Sequence, residues 1–227
     1  MLQLYIGNRN YSSWSMRAWV LLRQAGIAFE EKYVRFDSFD AGSQFKRTML
    51  AVAPTGTVPV LVDGATTVWD SLAIAEYVAE RFPGKQLWPQ DSAARAAARS
   101  VVAEMHGGFT ALRSACGMNI EADLAHVGRV VWRDNAGVRR NVERLVAMWS
   151  ALLARHGGPM LFGEFSVADA YYAPVCSRLK TYALPVPAEI DAYVQRVHQL
   201  PAVREWVRGA LAEQDFVALD EPYRAER

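Results

Sequence analysis

The chain has 227 residues, 52% of them hydrophobic and seven of them tryptophan, enough for one large domain or two modest ones with a filled core. Its 25 Lys and Arg nearly balance 24 Asp and Glu, for a formal net charge of +1, which gives no electrostatic reason to expect nucleic acid or an anionic membrane as partner. No apolar stretch approaches the ~20 residues that span a bilayer, and the opening MLQLYIGNRN lacks the basic start and long apolar run of a signal peptide.

Gln3 to Ile6 begins as an extended apolar run. The stretch RNYSSWSMRAW then places Ser12, Ser13 and Ser15 where that strand gives way to a helix. Met16, Trp19 and Val20, with Arg23 beside them, follow helical spacing, and Gly26 is placed to end the helix. Capping needs only one of the three hydroxyls. No histidine or acid lies near in sequence to activate a serine nucleophile, and no G-x-S-x-G elbow is present. A neutral hydroxyl at a helix start has another use, as a hydrogen-bond donor to a bound anion.

Lys32 to Phe36 reads as a second strand and Gly42 to Leu50 as a short helix. Val58 to Val62 and Thr66 to Trp69 flank Asp63-Gly64-Ala65, a hairpin signal. Pro59 cannot donate to a sheet ladder, so it belongs at an edge or in a special turn with a cis bond. An edge strand with free backbone groups can pair with an extended peptide. Ser71 to Arg81 is helical, with Leu72, Ile74, Ala75 and Val78 towards a core. Asp70 and Ser71, just before it, either cap the helix or hold a small zwitterion. In the second case Asp70 takes the ammonium, and Ser71 with the helix N-terminus takes the carboxylate.

The order β-α-β-α-β-β-α thus fills residues 1–82. A linker rich in proline and glycine, 83–92, leads to a helical region, 93–227. Its expected helices are Ala93 to Leu112, Arg133 to His156, Ser166 to Lys180, Pro187 to Leu200 and Pro201 to Gln214. Ser166 and Asp169 have the spacing of a reciprocal cap. Cys116 and Cys176 stand in no CxxC or metal-ligand pattern and read as buried small residues in a reducing, cytoplasmic setting.

Four of these stretches, in this order, resemble the soluble glutathione transferase family. YSSWSMR is similar to the zeta-class serine motif S-S-C-S-x-R, TVPVL to the cis-proline segment, DSLAIAEY to the E-S-x-A-I-x-x-Y element, and FSVADA to the buried cap of the second domain. The resemblance implies an α/β thioredoxin-like N-terminal domain and an all-α C-terminal domain. It implies glutathione as co-substrate, no metal, and a homodimer. Carried over by position, Val58 pairs its backbone with the cysteinyl part of glutathione, Pro59 is the cis-proline, and Asp70 and Ser71 hold the γ-glutamyl end. Ser13 aligns with the thiol-facing serine of the serine-type classes and Ser12 with the zeta serine before it; both stay candidates.

Several positions depart from the family pattern. Trp14 replaces the zeta cysteine, which argues against maleylacetoacetate isomerase activity, and Asp70 is shorter than the commoner glutamate. Gly56 and Thr57 stand where relatives often carry a side chain for the glycyl carboxylate, leaving Lys46 or Arg47 to supply one beside Thr57. Met105, His106, Phe109 and Arg113 follow one another along EMHGGFTALR and, with Trp14, are the expected acceptor pocket; His106 reads as a core or interface histidine before a catalytic one. The expected activity is addition of the glutathione thiolate to a small, largely apolar electrophile. Isomerisation or ether cleavage through the same thiolate is the alternative, as is a non-catalytic scaffold of the same fold. Because a free thiol titrates near ~8.5 and a hydrogen bond to a charged partner is worth ~1.5–3 kcal/mol, one serine donor suffices to make most of the thiol anionic at neutral pH.

Overall fold

The computed structural model describes residues 1–227. The first part of the chain forms β1 (Leu2–Ile6), α1 (Ser13–Gln24), β2 (Phe29–Tyr33), α2 (Gln44–Leu50), β3 (Val60–Asp63), β4 (Thr66–Trp69) and α3 (Ser71–Arg81). Its four-stranded sheet has the order β2-β1-β3-β4, with β1 parallel to β2 and antiparallel to β3. This is the β-α-β-α-β-β-α succession that the apolar periodicity predicts. Leu2, Leu4 and Ile6 alternate into the core with half-buried neighbours between them.

Two strand limits differ from the sequence expectation. The second strand runs Phe29–Tyr33 rather than Lys32 to Phe36, because Leu2 to Ile6 pair in register with Phe29 to Tyr33. Phe36 lies beyond the strand, its N–H held by Asn8 Oδ1 at 2.8 Å. The third strand starts at Val60 rather than Val58, since Pro59 follows a cis bond and brings no donor to the ladder.

Helices make up the rest: α4 (Ser92–Gly107), α5 (Thr110–Ala115), α6 (Ala125–Asp134), α7 (Ala136–His156), α8 (Val167–Thr181), α9 (Ala188–Gln199) and α10 (Pro201–Glu213). The continuous helix expected over Ala93 to Leu112 is broken. Gly108 closes α4 so tightly that a Cβ there would stand 2.5 Å from Glu104 O, and Phe109 follows at φ 54°. The expected start at Arg133 is also displaced. Asn135 caps α7, its side chain accepting from Val138 N–H at 3.1 Å, and a separate amphipathic helix, α6, precedes it.

The centre of the molecule is α8, which packs on α1, α4 and α9 and is buried along nearly its whole length. Its start is the reciprocal cap read from FSVADA: Ser166 N–H donates to Asp169 Oδ2 at 2.9 Å. The other carboxylate oxygen of Asp169 accepts from Leu161 N–H at 3.1 Å and the Tyr193 hydroxyl at 3.0 Å. One hydrophobic core of 51 buried residues runs through both parts, with Trp19 of α1 edge-on to Trp206 of α10 at 5.4 Å. Beyond α10 the chain turns back across the first part, where buried Glu221 accepts from the Tyr11 hydroxyl at 2.7 Å and Asn119 Nδ2 at 2.8 Å. No helix is long and apolar enough to cross a membrane.

Candidate active site

The turn between β1 and α1 sorts the three serines by hydrogen bonding. Ser12 is the N-cap of α1; its Oγ accepts from Ser15 N–H at 3.4 Å and donates to Ser15 Oγ at 2.7 Å. Ser15 Oγ accepts in turn from Gly7 N–H at 3.1 Å, so these two hydroxyls tie the helix start to the strand end. Ser13 takes no part in that network. As the first residue of α1 it lines a cleft of about 440 Å³, where its Oγ accepts from Arg178 Nη2 at 3.2 Å.

The cleft gathers residues distant in sequence. Ser12, Ser13 and Trp14 meet the Thr57-Val58-Pro59 segment, the Asp70-Ser71 pair and Lys46 of α2, with Arg113 and Arg178 on the helical side. The Val58–Pro59 bond is cis, and Val58 makes no backbone hydrogen bond within the chain, so its N–H and C=O are free for an extended ligand. Lys46 Nζ donates to Gly56 O at 2.9 Å, holding its ammonium at the cleft edge. Arg47 instead binds the start of its own helix through Gly42 O and Gln44 Oε1.

Asp70 does two things at once. Its Oδ1 accepts from Leu72 N–H at 2.8 Å and Ala73 N–H at 3.4 Å, the capping expected from sequence, while its Oδ2 lies 3.2 Å from His106 Nε2. The residue sits at φ 73°, in the left-handed region that non-glycine residues seldom occupy, and such strain clusters at ligand-binding positions. Beside it, the Ser71 hydroxyl is buried next to the Tyr171 phenol and makes no well-formed hydrogen bond.

The expected acceptor residues separate. Arg113 and Trp14 line the cleft. His106 does not; it stands behind, edge-on to the Trp14 ring at 5.1 Å. Met105 and Phe109 are a correction: both belong to the core, at 0% and 5% exposure. The spacing that grouped them with Arg113 assumed one continuous helix, and the break at Gly108 removes it.

Arg178 carried no signal in sequence, whereas Tyr11 and Arg17 lay in the YSSWSMR stretch without a role assigned to them. Arg178 of α8 is 5% exposed, and Arg17 of α1, 1% exposed, stacks 4.1 Å from the Trp14 ring centroid and 5.1 Å from that of Tyr171. Arg17 Nε and Nη1 are buried with no partner. Burial pulls the Arg17 guanidinium down to about 9 and that of Arg178 to about 10, and each is further opposed by Arg113. Tyr11 also lines the cleft, yet burial and the bond to Glu221 push its phenol up to about 12. A smaller lobe of about 280 Å³ adjoins, lined by Ser13, Trp14, Thr110, Arg113, Ser114 and Arg178, with no acidic side chain on its wall.

A mixed four-stranded sheet beside a helical bundle, with a cis-proline and a helix N-terminus facing one cleft, defines the glutathione transferase fold. The family models agree: residues 11–81 match the glutathione S-transferase N-terminal domain and residues 93–209 the C-terminal domain, and the chain belongs to this family. It is 31% identical over 175 residues to glutathione S-transferase 1 of Dianthus caryophyllus, covering 76% of this chain and 75% of that one. A zeta-class glutathione S-transferase of Euphorbia esula is 29% identical over 165 residues, 72% of this chain and 70% of that one. Among solved structures, a Burkholderia glutathione transferase homolog with bound glutathione superposes with a TM-score of 0.68 at 25% identity, covering 93% of this chain and 98% of that one.

Proposed function

We propose that this protein is a glutathione-dependent transferase in which Ser13 holds the thiolate. The observation that carries the reading is the position of the Ser13 hydroxyl. It is on the cleft wall at the start of α1, outside the network that occupies Ser12 and Ser15. Glutathione bound along the cleft would pair its cysteinyl backbone with Val58, leaving its sulfur towards Ser13. The γ-glutamyl ammonium would meet Asp70, and its carboxylate the Ser71 hydroxyl and the Ser71 N–H, since Asp70 already engages the N–H groups of Leu72, Ala73 and Ile74. The Ser71 Oγ, without a well-formed hydrogen bond of its own, supports that placement. Lys46, whose ammonium is held at the cleft edge by Gly56 O, would meet the glycyl carboxylate, with Thr57 beside it.

A hydroxyl donating to sulfur at a helix N-terminus favours the anion and lowers the thiol pKa by about one to two. The acceptor would enter through the lobe beside Ser13. Its wall of hydroxyls, one indole and two guanidiniums suits an electrophile with a polar or anionic group better than a purely apolar one. The family resemblance brings a homodimer and a cytoplasmic setting with it, and sedimentation of the purified chain tests the first.

Calorimetric titration with glutathione, with thiolate absorbance followed against pH on the same samples, tests the assignment. Micromolar to low-millimolar binding with a lowered thiol pKa is the expected result. No binding at several millimolar would leave the fold as a scaffold. With an electrophile in hand, a product free of glutathione would assign isomerisation in place of conjugation.

A further inference from the structure

Ser13 is backed by a charged residue from the other end of the chain. Arg178 lies 165 positions away, one turn beyond Pro174 in α8, and its guanidinium is fixed at three points. Nε donates to Cys116 O at 2.8 Å, Nη1 to Pro174 O at 3.3 Å and Nη2 to Ser13 Oγ at 3.2 Å. All three acceptors are neutral oxygens, and no carboxylate pairs with this buried cation. The charged and titratable groups around it are Arg113 of α5, Arg17 of α1, Cys116 and Tyr182; the last two are neutral at pH 7, pushed up by burial. The acids on the cleft wall are Asp70, which Leu72, Ala73 and His106 engage, and Asp220 from the C-terminal segment.

We infer that Arg178 is a positioning residue for the thiolate, acting through Ser13, so that the sulfur anion supplies the counter-charge this buried guanidinium lacks. Two consequences follow from the geometry. Accepting from Arg178 occupies one lone pair of Ser13 Oγ and leaves its O–H to be donated into the cleft. A hydroxyl that accepts from a cation is also a stronger donor, because each bond in such a chain polarises the next. Beyond the hydroxyl, a cation held in a poorly screened interior without a partner stabilises an anion placed next to it. The inference rests on Ser13 facing the thiol, and its test is built to fail separately from the transferase reading.

The test replaces Ser13 by a group that reports the field itself. In Ser13→Cys, without glutathione, the rate of iodoacetamide alkylation against pH gives the pKa of the thiol at this position. Cys116 and Cys176 are buried and their thiols are pushed up, so the unsubstituted protein serves as a blank. The expected value lies a full pH unit or more below the ordinary ~8.5, and adding Arg178→Gln should return most of that difference. A thiol at or above ~8.5 with Arg178 in place overturns the inference, as does an equal value with and without Arg178 in a folded double variant. Should the Gln variant not fold, Arg178→Met takes its place, since the start of α1 lowers a thiol pKa by itself and only the difference with and without the guanidinium reports Arg178. In the otherwise native protein, Arg178→Gln should raise the pKa of bound glutathione and lower kcat at least tenfold, with KM for glutathione within about twofold. A changed KM with an unchanged pH profile would make Arg178 merely structural. A lowered thiol pKa in Ser13→Cys that rises again on replacing Arg178, in a protein whose unsubstituted form does not bind glutathione, would uphold Arg178 and overturn the transferase reading.

Discussion

The Ser12 hydroxyl donates to that of Ser15 at 2.7 Å, and this pair, rather than Ser13, fastens the start of α1 to the end of β1. The neighbouring serines therefore separate by mutation. Ser12→Ala should cost about 1 kcal/mol as a lost cap, and Ser15→Ala about 1–3 kcal/mol because it strands the buried Gly7 N–H. Ser13→Ala should cost about 1–3 kcal/mol, because the buried Arg178 Nη2 loses its acceptor, and it alone of the three should raise the pKa of bound glutathione by about one or more. Loss of thiolate equal in Ser12→Ala and Ser13→Ala would contradict this division of labour.

Tyr11 faces the same cleft but is held by Glu221 at 2.7 Å, with its phenol pushed up to about 12. Tyr11→Phe should leave the thiol pKa and kcat within about twofold. Its cost is in stability, about 1–3 kcal/mol, from a buried Glu221 that loses a donor. A large fall in kcat at unchanged midpoint would instead make the tyrosine the thiol's partner.

Asp70 lines the cleft, with one oxygen engaged by the α3 N–H groups and the other 3.2 Å from His106 Nε2 behind it. Asn in its place keeps the cap and removes the charge. Glutathione should then bind about tenfold more weakly, ~1.4 kcal/mol, while an analogue lacking the γ-glutamyl amino group binds both proteins alike. Equal weakening for both ligands would show that only helix geometry had changed.

Asp220 lines the cleft with Oδ2 buried and unpartnered, and burial together with Glu221 pushes its carboxyl up to about 6. A carboxyl whose pKa is raised on folding binds more protons folded than unfolded. Its contribution is therefore fully present below the ordinary ~3.9 and is lost as pH rises through about 6. Asp220→Asn should accordingly raise Tm at pH 8 and leave it unchanged near pH 4. A variant that loses stability at pH 8 would show that the carboxylate has a partner in solution.

The cap of α8 was legible from FSVADA, yet its weight was not. Ser166→Ala should cost about 1 kcal/mol by denaturant unfolding, as capping alone predicts. Asp169→Ala should cost about 3 kcal/mol or more, because Asp169 also accepts from Leu161 N–H and the Tyr193 hydroxyl, and all three donors are buried. Similar losses in the two variants would reduce Asp169 to a simple capping residue.

What the sequence determined by itself was local in physical origin. Alternating apolar residues specify β1, a proline without a donor marks the segment before β3, and Asp70 and Ser166 announce the helices they cap, since strand pleat, ring closure and capping act within a few residues. The order of the N-terminal elements and the motifs that place the chain in its family were readable on that basis. Tertiary structure decided which side chain faces which wall. Met105 lies in the core on the buried face of α4 with Ala98, Val101 and Val102, Phe109 turns into it where α4 has ended, and Arg178 reaches Ser13 because α8 packs against α1. No local rule joins Ser13 to a guanidinium 165 residues away; the packing of a central helix does, and it sets the electrostatics of the hydroxyl at the cleft.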